Sequence, residues 1–382
     1  MTRFRHPGGR TVHLSYCSNV HQAEDVAGIV AQLERFTAPV RAALGWPRLG
    51  LGLWLSAAAV AELRDERRLD LLRGALDAHR IDVVTLNGFP YQAFHAPVVK
   101  HAVYRPDWSE PARLEHTLEL ARLLHALLPD DADEGSISTL PLGWRDPWPT
   151  ERAERAREAL GRLAEGLADL ADDGGRPVRV ALEPEPGCTV ETVAQALDVL
   201  DDIAPQWVGI CVDACHLAVQ FEDAGGAVRG ALDRGVPIVK CQISSALRVP
   251  DPRQRDGVAA FAEPRFLHQT RERVDGRVVG VDDLDDALDG ALPGASEWRV
   301  HFHVPVHAGG ANTTQPELVA TLGALVGGPT PATTHLEVET YTWSVLPDGQ
   351  RPGDDAGVVD GLARELRWTR DRLVELGLRE DM

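Results

Sequence analysis

Eight short apolar runs, each followed by a stretch with helical periodicity, constrain the fold of this chain more tightly than any other feature. They cover residues 12–16, 49–55, 81–86, 136–140, 178–183, 208–213, 237–243 and 334–340. Such alternation predicts a parallel sheet with helices on its faces, and eight units are the number that closes a (β/α)₈ TIM barrel. The clearest helix starts at Glu151, where Ala153, Ala156, Leu160, Leu163, Leu167 and Leu170 recur at intervals of three and four, one face of a helix. Near the C-terminus Val359, Leu362, Leu366, Leu373 and Leu376 share a face. Thr314-Gln315-Pro316-Glu317 reads as a capping box that opens the helix before the last strand. Pro205 is expected to close the helix that begins near Thr189. An open doubly wound sheet is the structural alternative, but no Gly-x-Gly-x-x-Gly turn follows the first run, so a dinucleotide fold has no support.

The alternation breaks once, over residues 245–298, a long insertion after the seventh strand. It holds Pro250, Pro252, the run Phe261 to His268 and an acidic stretch from Asp282 to Asp289, and it returns through Trp298 to His307, a ninth strand-like segment. Uninterrupted loops of this length are usually lids, binding loops or disordered segments, and so short a piece buries too little to be a domain; the aromatics and clustered histidines favour an ordered one. The reading is therefore one barrel domain over residues 1–382, with 245–298 an ordered excursion over its mouth.

Bulk properties narrow the function. Lys and Arg number 39 against 58 Asp and Glu, a net charge of −19. That field repels polyanions and argues against nucleic acid or an anionic membrane surface as partner. A small-molecule substrate remains. The stretch 49–63 is short of the ~20 residues a membrane span needs and reads as a strand running into a helix. The first ten residues lack the apolar core of a signal peptide. Five cysteines fit neither a disulfide framework nor a structural zinc motif, so reduced thiols in a cytoplasmic protein are expected.

Four of the apolar runs stop on a lone acid or amide: Glu183, Asp213, Gln242 and Glu339. In a barrel of this kind the active site lies at the C-terminal strand ends, where an oxygen can bind an ion instead of being desolvated in the interior. Four such ends in one layer point to oxygen ligands on one divalent cation, Mn²⁺, Mg²⁺ or Co²⁺, with Zn²⁺ as the alternative. Singly, each has a bland reading as a helix cap or a solvated loop residue. Glu337 shares a side with Glu339 but would lie a layer deeper and need a buried partner. Glu185 lies past its strand end, between Pro184 and Pro186. Lys240 could hold a phosphate, stabilise an enolate, or form an ion pair with Glu337. His216, three residues after Asp213, suits a substrate contact or a second ligand, with a structural histidine at a helix start as the alternative. His301 and His303 share one face of their segment, and with His307 could bind zinc if the insertion folds back. Asn19, His21, Trp54, Asn87 and His268 complete the expected pocket lining.

These motifs resemble those of the xylose isomerase-like TIM-barrel superfamily, the sugar (phosphate) isomerases and epimerases. Val212-Asp213-Ala214-Cys215-His216 resembles that family's D-x-x-H at the sixth strand. Cys241-Gln242-Ile243 resembles the seventh-strand V-Q-I of hydroxypyruvate isomerase-like members, Leu182-Glu183-Pro184 the fifth-strand glutamate, and Glu339 falls at the eighth. A closer resemblance is to the EboE metabolite traffic proteins of that superfamily. It rests on His13 to His21, Thr85 to Pro90, Ser136 to Trp144 and His301 to His307. It implies a role in processing or moving secondary-metabolite precursors and leaves room for a homodimer and for partners from the same operon.

The expected activity is a divalent-metal isomerase or epimerase acting on a sugar-like or polyol-like hydroxycarbonyl. Glu183 and Glu339 would move the proton from opposite faces, and His216 would orient a hydroxyl. Two rivals remain. One is a metal hydrolase resembling the endonuclease branch, and the other is a carrier barrel that binds without turnover.

Overall fold

The computed structural model describes residues 2–172, 176–255 and 257–381. The first seven barrel strands are parallel: β1 (Thr11–Cys17), β2 (Leu49–Trp54), β3 (Thr85–Asn87), β4 (Gly135–Thr139), β5 (Val178–Leu182), β6 (Val208–Asp213) and β7 (Ile238–Ile243). Four antiparallel strands follow, β8 (Ala246–Val249), β9 (Thr270–Val274), β10 (Arg277–Val281) and β11 (Trp298–His303). The last barrel strand is β12 (His335–Val338), which pairs in parallel with both β7 and β1 and so closes the ring. The product is the (β/α)₈ barrel that the alternation predicts.

The strands read as near-continuous apolar runs because helices cover one face and barrel side chains the other. Their observed bounds lie within one or two residues of the expected ones, except at β3. There the run 81–86 splits into Ile81–Asp82 and Thr85–Asn87. Asp82 takes ion pairs from Arg3 (3.0 Å) and Arg48 (2.7 Å) at the barrel floor. The helix Thr150–Asp172 buries Ala156, Leu160, Leu163 and Leu167, while Ala153 and Leu170 sit half-buried at the edge of its apolar face. The helix Asp355–Glu375 likewise buries Leu362, Leu366 and Leu373.

Two helix ends differ from expectation. The helix Gln315–Val326 forms, but its capping box does not. The Thr314 hydroxyl accepts the Ala246 N–H instead (2.8 Å), and Glu317 turns to the guanidinium groups of Arg248 and Arg299. A reciprocal box does form between Thr192 and Gln195. The helix it opens, Val193–Leu200, stops five residues before Pro205, because the chain turns there to enter β6.

The four antiparallel strands form a sheet in the order β8-β11-β9-β10. Only Ser244 and Ser245 separate β7 from β8, so this sheet grows directly out of the barrel mouth. The strand bearing His301 and His303 lies inside it, flanked by β8 and β9. Buried Glu272 fixes the approach to that strand, accepting the N–H groups of Gly294, Ala295 and Ser296 and the Trp298 indole. All five cysteines are buried and free. Among the described residues no helix is long and apolar enough to cross a membrane.

Buried neutral imidazoles tie stability to pH. His116, on the helix Pro111–Leu127, lies edge-on to Tyr91, and its Nε2 has no partner. Burial, helped by the charge of Arg113, pushes it down to about 3 from 6.5. Between those values the unfolded chain binds a proton that the folded one refuses. The stability this group gives at neutral pH is therefore lost as pH falls through that window. His116→Phe should flatten the pH dependence of unfolding between pH 6 and 4 by up to about 1.4 kcal/mol per pH unit. Urea titrations read this directly, and an unchanged slope would contradict it.

Candidate metal centre

Four barrel strand ends each deliver a polar group to the mouth. Glu183 follows β5, its N–H bonded to the Thr139 carbonyl (3.0 Å). Asp213 ends β6 and caps the helix Ala214–Val219. Its Oδ1 accepts the His216 N–H (2.9 Å) and the Ser244 hydroxyl (2.8 Å). Gln242 stands in register with Asp213 on the neighbouring strand. Glu339 follows β12, and its Oε1 accepts the side-chain amides of Asn19 (2.7 Å) and Asn87 (2.8 Å).

Ligand oxygens of Glu183, Asp213 and Glu339 lie within 4.8 Å of one another, and all three residues are buried. Glu183 Oε2, Asp213 Oδ2 and both amide atoms of Gln242 are buried without a hydrogen-bond partner. Unpartnered buried polar atoms cost free energy, more so when charged. Burial, reinforced by Glu339 and Asp213, raises the Glu183 carboxyl well above the ordinary range. Burial, then Asp213 and Glu337, pushes Glu339 up to about 8. A divalent cation among these oxygens would offset the repulsion and satisfy the orphaned atoms together, and the donor set suits a hard ion. The residues fit such an ion.

A second group lies beside the first. Glu185, His216 and His301 bring ligand atoms within 4.8 Å of one another, and so do Asp213, His216 and His303. The three imidazoles share a hydrogen-bonding arrangement. His216 Nδ1 faces the Pro184 carbonyl (2.8 Å), His301 Nδ1 the Gln269 Oε1 (2.7 Å), and His303 Nδ1 the Glu339 carbonyl (2.8 Å). Carbonyl oxygens only accept, so each Nδ1 carries the proton and each Nε2 a lone pair. His216 Nε2 and His301 Nε2 then meet at 3.1 Å, while His303 Nε2 has no partner. Burial pushes His216 down to about 4 and His301 well below its ordinary value, so a second proton is disfavoured on either ring. A protonated Glu185, 3.1 Å from His216 Nε2, could satisfy one of these lone pairs. A cation could satisfy all of them, and an imidazole whose other nitrogen donates to a carbonyl is the usual form of a metal-binding histidine.

The cavity above both groups is lined by Asn19, Asn87, His301 and His303, all expected there. Three other expected lining residues sit elsewhere. His21 stacks on Phe36 at 4.5 Å and meets the Tyr16 hydroxyl, because its ring is enclosed by the helical segment after β1. Trp54 lies one layer behind the wall, packed on Phe94 with its indole N–H on the Pro90 carbonyl. His268 is held inside the excursion between Glu263 and the His301 carbonyl. Lys240 is fully buried and paired with Glu337, away from the cavity, so the ion pair prevails over a phosphate or enolate contact. The sequence reading undervalued Glu185 and missed Tyr104, Gln269 and Ser244. The turn Pro184-Glu185-Pro186 folds Glu185 back so that it accepts the Tyr104 hydroxyl (3.0 Å).

Residues 45–290 match the family model of the xylose isomerase-like TIM barrel, well over half of the chain. The chain belongs to this family. No curated protein matches it by sequence. Among solved structures it is similar to an Anabaena variabilis protein described as a sugar phosphate isomerase/epimerase (TM-score 0.54, 14% identity, covering 96% of this chain and 100% of that one). It is also similar to D-psicose 3-epimerase from Clostridium cellulolyticum with D-tagatose (TM-score 0.51, 14% identity, 94% and 99% covered). A third is the IolI protein with a bound zinc atom (TM-score 0.51, 13% identity, 95% and 98% covered). At these identities the likeness is one of fold. It places this xylose isomerase-like barrel among scaffolds that include sugar epimerases and a zinc-binding member.

Proposed function

We propose that the chain is a divalent-metal-dependent isomerase or epimerase acting on a sugar-like or polyol-like hydroxycarbonyl compound. The observation that carries this reading is the convergence of Glu183, Asp213 and Glu339 within 4.8 Å, with oxygens of the first two left unpartnered. Glu183, Asp213 and Glu339 would hold the cation, with Gln242 beside Asp213 as a fourth donor. Once bound, the ion would supply Lewis-acid polarisation of a carbonyl and its adjacent hydroxyl, acidifying the C–H between them. Glu183 and Glu339 come from strands on different sides of the ring, so they can serve opposite faces of that carbon. One takes the proton and the other returns it, a contribution of ~10²–10⁴-fold. The Asn19 and Asn87 amides hold one Glu339 oxygen and so fix the carboxylate for this exchange. His216, anchored through Nδ1, presents Nε2 as an acceptor for a substrate hydroxyl. The excursion over 245–298 acts in this reading as a lid within a single domain. The resemblance to the EboE proteins supports a place in handling secondary-metabolite precursors in the cytoplasm.

The test is turnover in D₂O on a panel of ketoses and polyol ketones. Deuterium should appear at the carbon beside the carbonyl. Turnover without deuterium would replace proton transfer by a hydride shift.

A second reading is a metal-dependent hydrolase of the endonuclease-like branch, and one observation favours it. The facing lone pairs of His216 and His301 beside Glu185 form a donor set for another ion. Two tightly held zinc ions per chain, with hydrolysis and no isomerisation, would establish it.

A further inference from the structure

The wall of the cavity differs in chemistry from its floor. Carboxylates and imidazoles form the floor, whereas Phe89, Phe94, Tyr104, Phe266, Leu267 and Tyr341 line the sides. Three of these rings make a mutual cluster: Phe94 to Phe266 at 5.2 Å, Phe94 to Tyr341 at 5.4 Å and Phe266 to Tyr341 at 4.9 Å between centroids. Tyr341 reaches down to the His303 ring at 4.7 Å. The cavity proper is about 60 Å³, and about 520 Å³ with its open mouth counted, so a ring would be held at the mouth rather than enclosed.

Beyond the metal ion itself, a phosphate ester would need a basic side chain to receive it, and here the one candidate is already engaged. Among the described lining residues Lys100 is the only lysine or arginine. Its ammonium is paired with Asp283 of the excursion. Its backbone is held in the left-handed region, φ +35°, by an N–H bond to the Arg265 carbonyl (2.9 Å). Asp283 is fixed in turn by the N–H groups of His268 (3.2 Å) and Leu284 (2.9 Å). Below the carboxylates, Lys240 is committed to Glu337 and has no surface in the cavity. An entering phosphate would therefore meet buried carboxylates and an ammonium locked onto another anion. An apolar ring would meet the parts of Phe94, Phe266 and Tyr341 that line the cavity.

We propose that this pocket takes an uncharged hydroxycarbonyl compound bearing an aromatic or other apolar ring, and discriminates against phosphate esters. The inference rests on the metal-isomerase reading above and narrows its substrate class.

Calorimetric titration of the full chain, preloaded with one equivalent of Mn²⁺, tests it with three probes. These are 2-hydroxyacetophenone, dihydroxyacetone and dihydroxyacetone phosphate. The aromatic ketone should bind about tenfold more tightly than dihydroxyacetone, and the phosphate ester more weakly than either. Phe266→Ala should shrink the first ratio to about twofold. Asp283→Asn keeps a helix-capping side chain but frees Lys100, and should raise affinity for dihydroxyacetone phosphate about tenfold. Tightest binding of the phosphate ester to the parent chain would overturn the inference and leave the isomerase reading standing, as would equal binding of all three. An Asp283→Asn variant with unchanged phosphate affinity would overturn the role given to Lys100. Binding of none of the three would remove the metal-chelation reading itself, and this inference with it.

Discussion

Lys240→Met lowers stability by about 3–5 kcal/mol, the usual cost of removing one partner from a buried ion pair. Lys240 and Glu337 are both fully buried and bonded to each other just beneath the layer of Glu183, Asp213 and Glu339. Burial works against the ammonium, but the charge of Glu337 outweighs it and holds Lys240 protonated above its ordinary range. The barrel is built around this pair. A Cβ at Gly52 would come within 1.3 Å of Glu337 Oε1, so β2 must pass the carboxylate as glycine. Methionine keeps the length of lysine but leaves the Glu337 charge buried with no counter-ion. Lys240→Met combined with Glu337→Leu removes both charges and should regain most of the loss, since apolar replacement of a whole buried pair is often neutral. Urea unfolding of the parent, single and double variants reads the cycle. A single variant within about 1 kcal/mol of the parent would mean that the pair does not hold the floor of the site.

Under the proposed function, Glu183→Gln and Asp213→Asn should each weaken divalent-cation binding by about 10²-fold or more and abolish the proposed isomerisation with it. Each removes an anionic oxygen from a group whose members lie within 4.8 Å. Ser244→Ala should have a graded effect, about tenfold in affinity, because its hydroxyl fixes the orientation of Asp213 through Oδ1. Stability distinguishes a ligand from a structural carboxylate. Without metal, Glu183→Gln relieves repulsion among buried acids, so it should melt no lower than the parent. A merely structural Glu183 would give the opposite result, a lower melting temperature with metal affinity unchanged. Calorimetric Mn²⁺ titration and thermal melts of the same samples separate the two.

The barrel was legible because its strands are apolar on both faces, which leaves runs such as Val208–Asp213 with one assignment. The exception at Asp82 follows from ion pairs to Arg3 and Arg48, which no local pattern announces. The capping box at Thr314 was misleading for a similar reason, since a neighbouring strand claims the hydroxyl. Glu183, Asp213 and Glu339 could be read from position, because a charge at a strand end has somewhere to go and a charge in mid-strand does not. The same reasoning asked for a buried partner for Glu337, and Lys240 is that partner. Histidines were harder to place. His301 and His303 reach the site through the antiparallel pairing of β11 with β8 and β9, a contact between segments distant in sequence. His21 and His268 look equivalent to them in sequence, yet packing against Phe36 and Phe302 takes them out of the cavity. Glu185 was undervalued because the double-proline turn that returns it to the site leaves no periodic signal.

The central claim is that three acids from separate strands share one cation. Crystals grown with Mn²⁺ and measured at the manganese absorption edge test it most directly. The account predicts an anomalous peak about 2.0–2.6 Å from one oxygen each of Glu183, Asp213 and Glu339. A structure with Mn²⁺ in solution and no peak among those oxygens, or with the three carboxylates turned away from a common point, would contradict it.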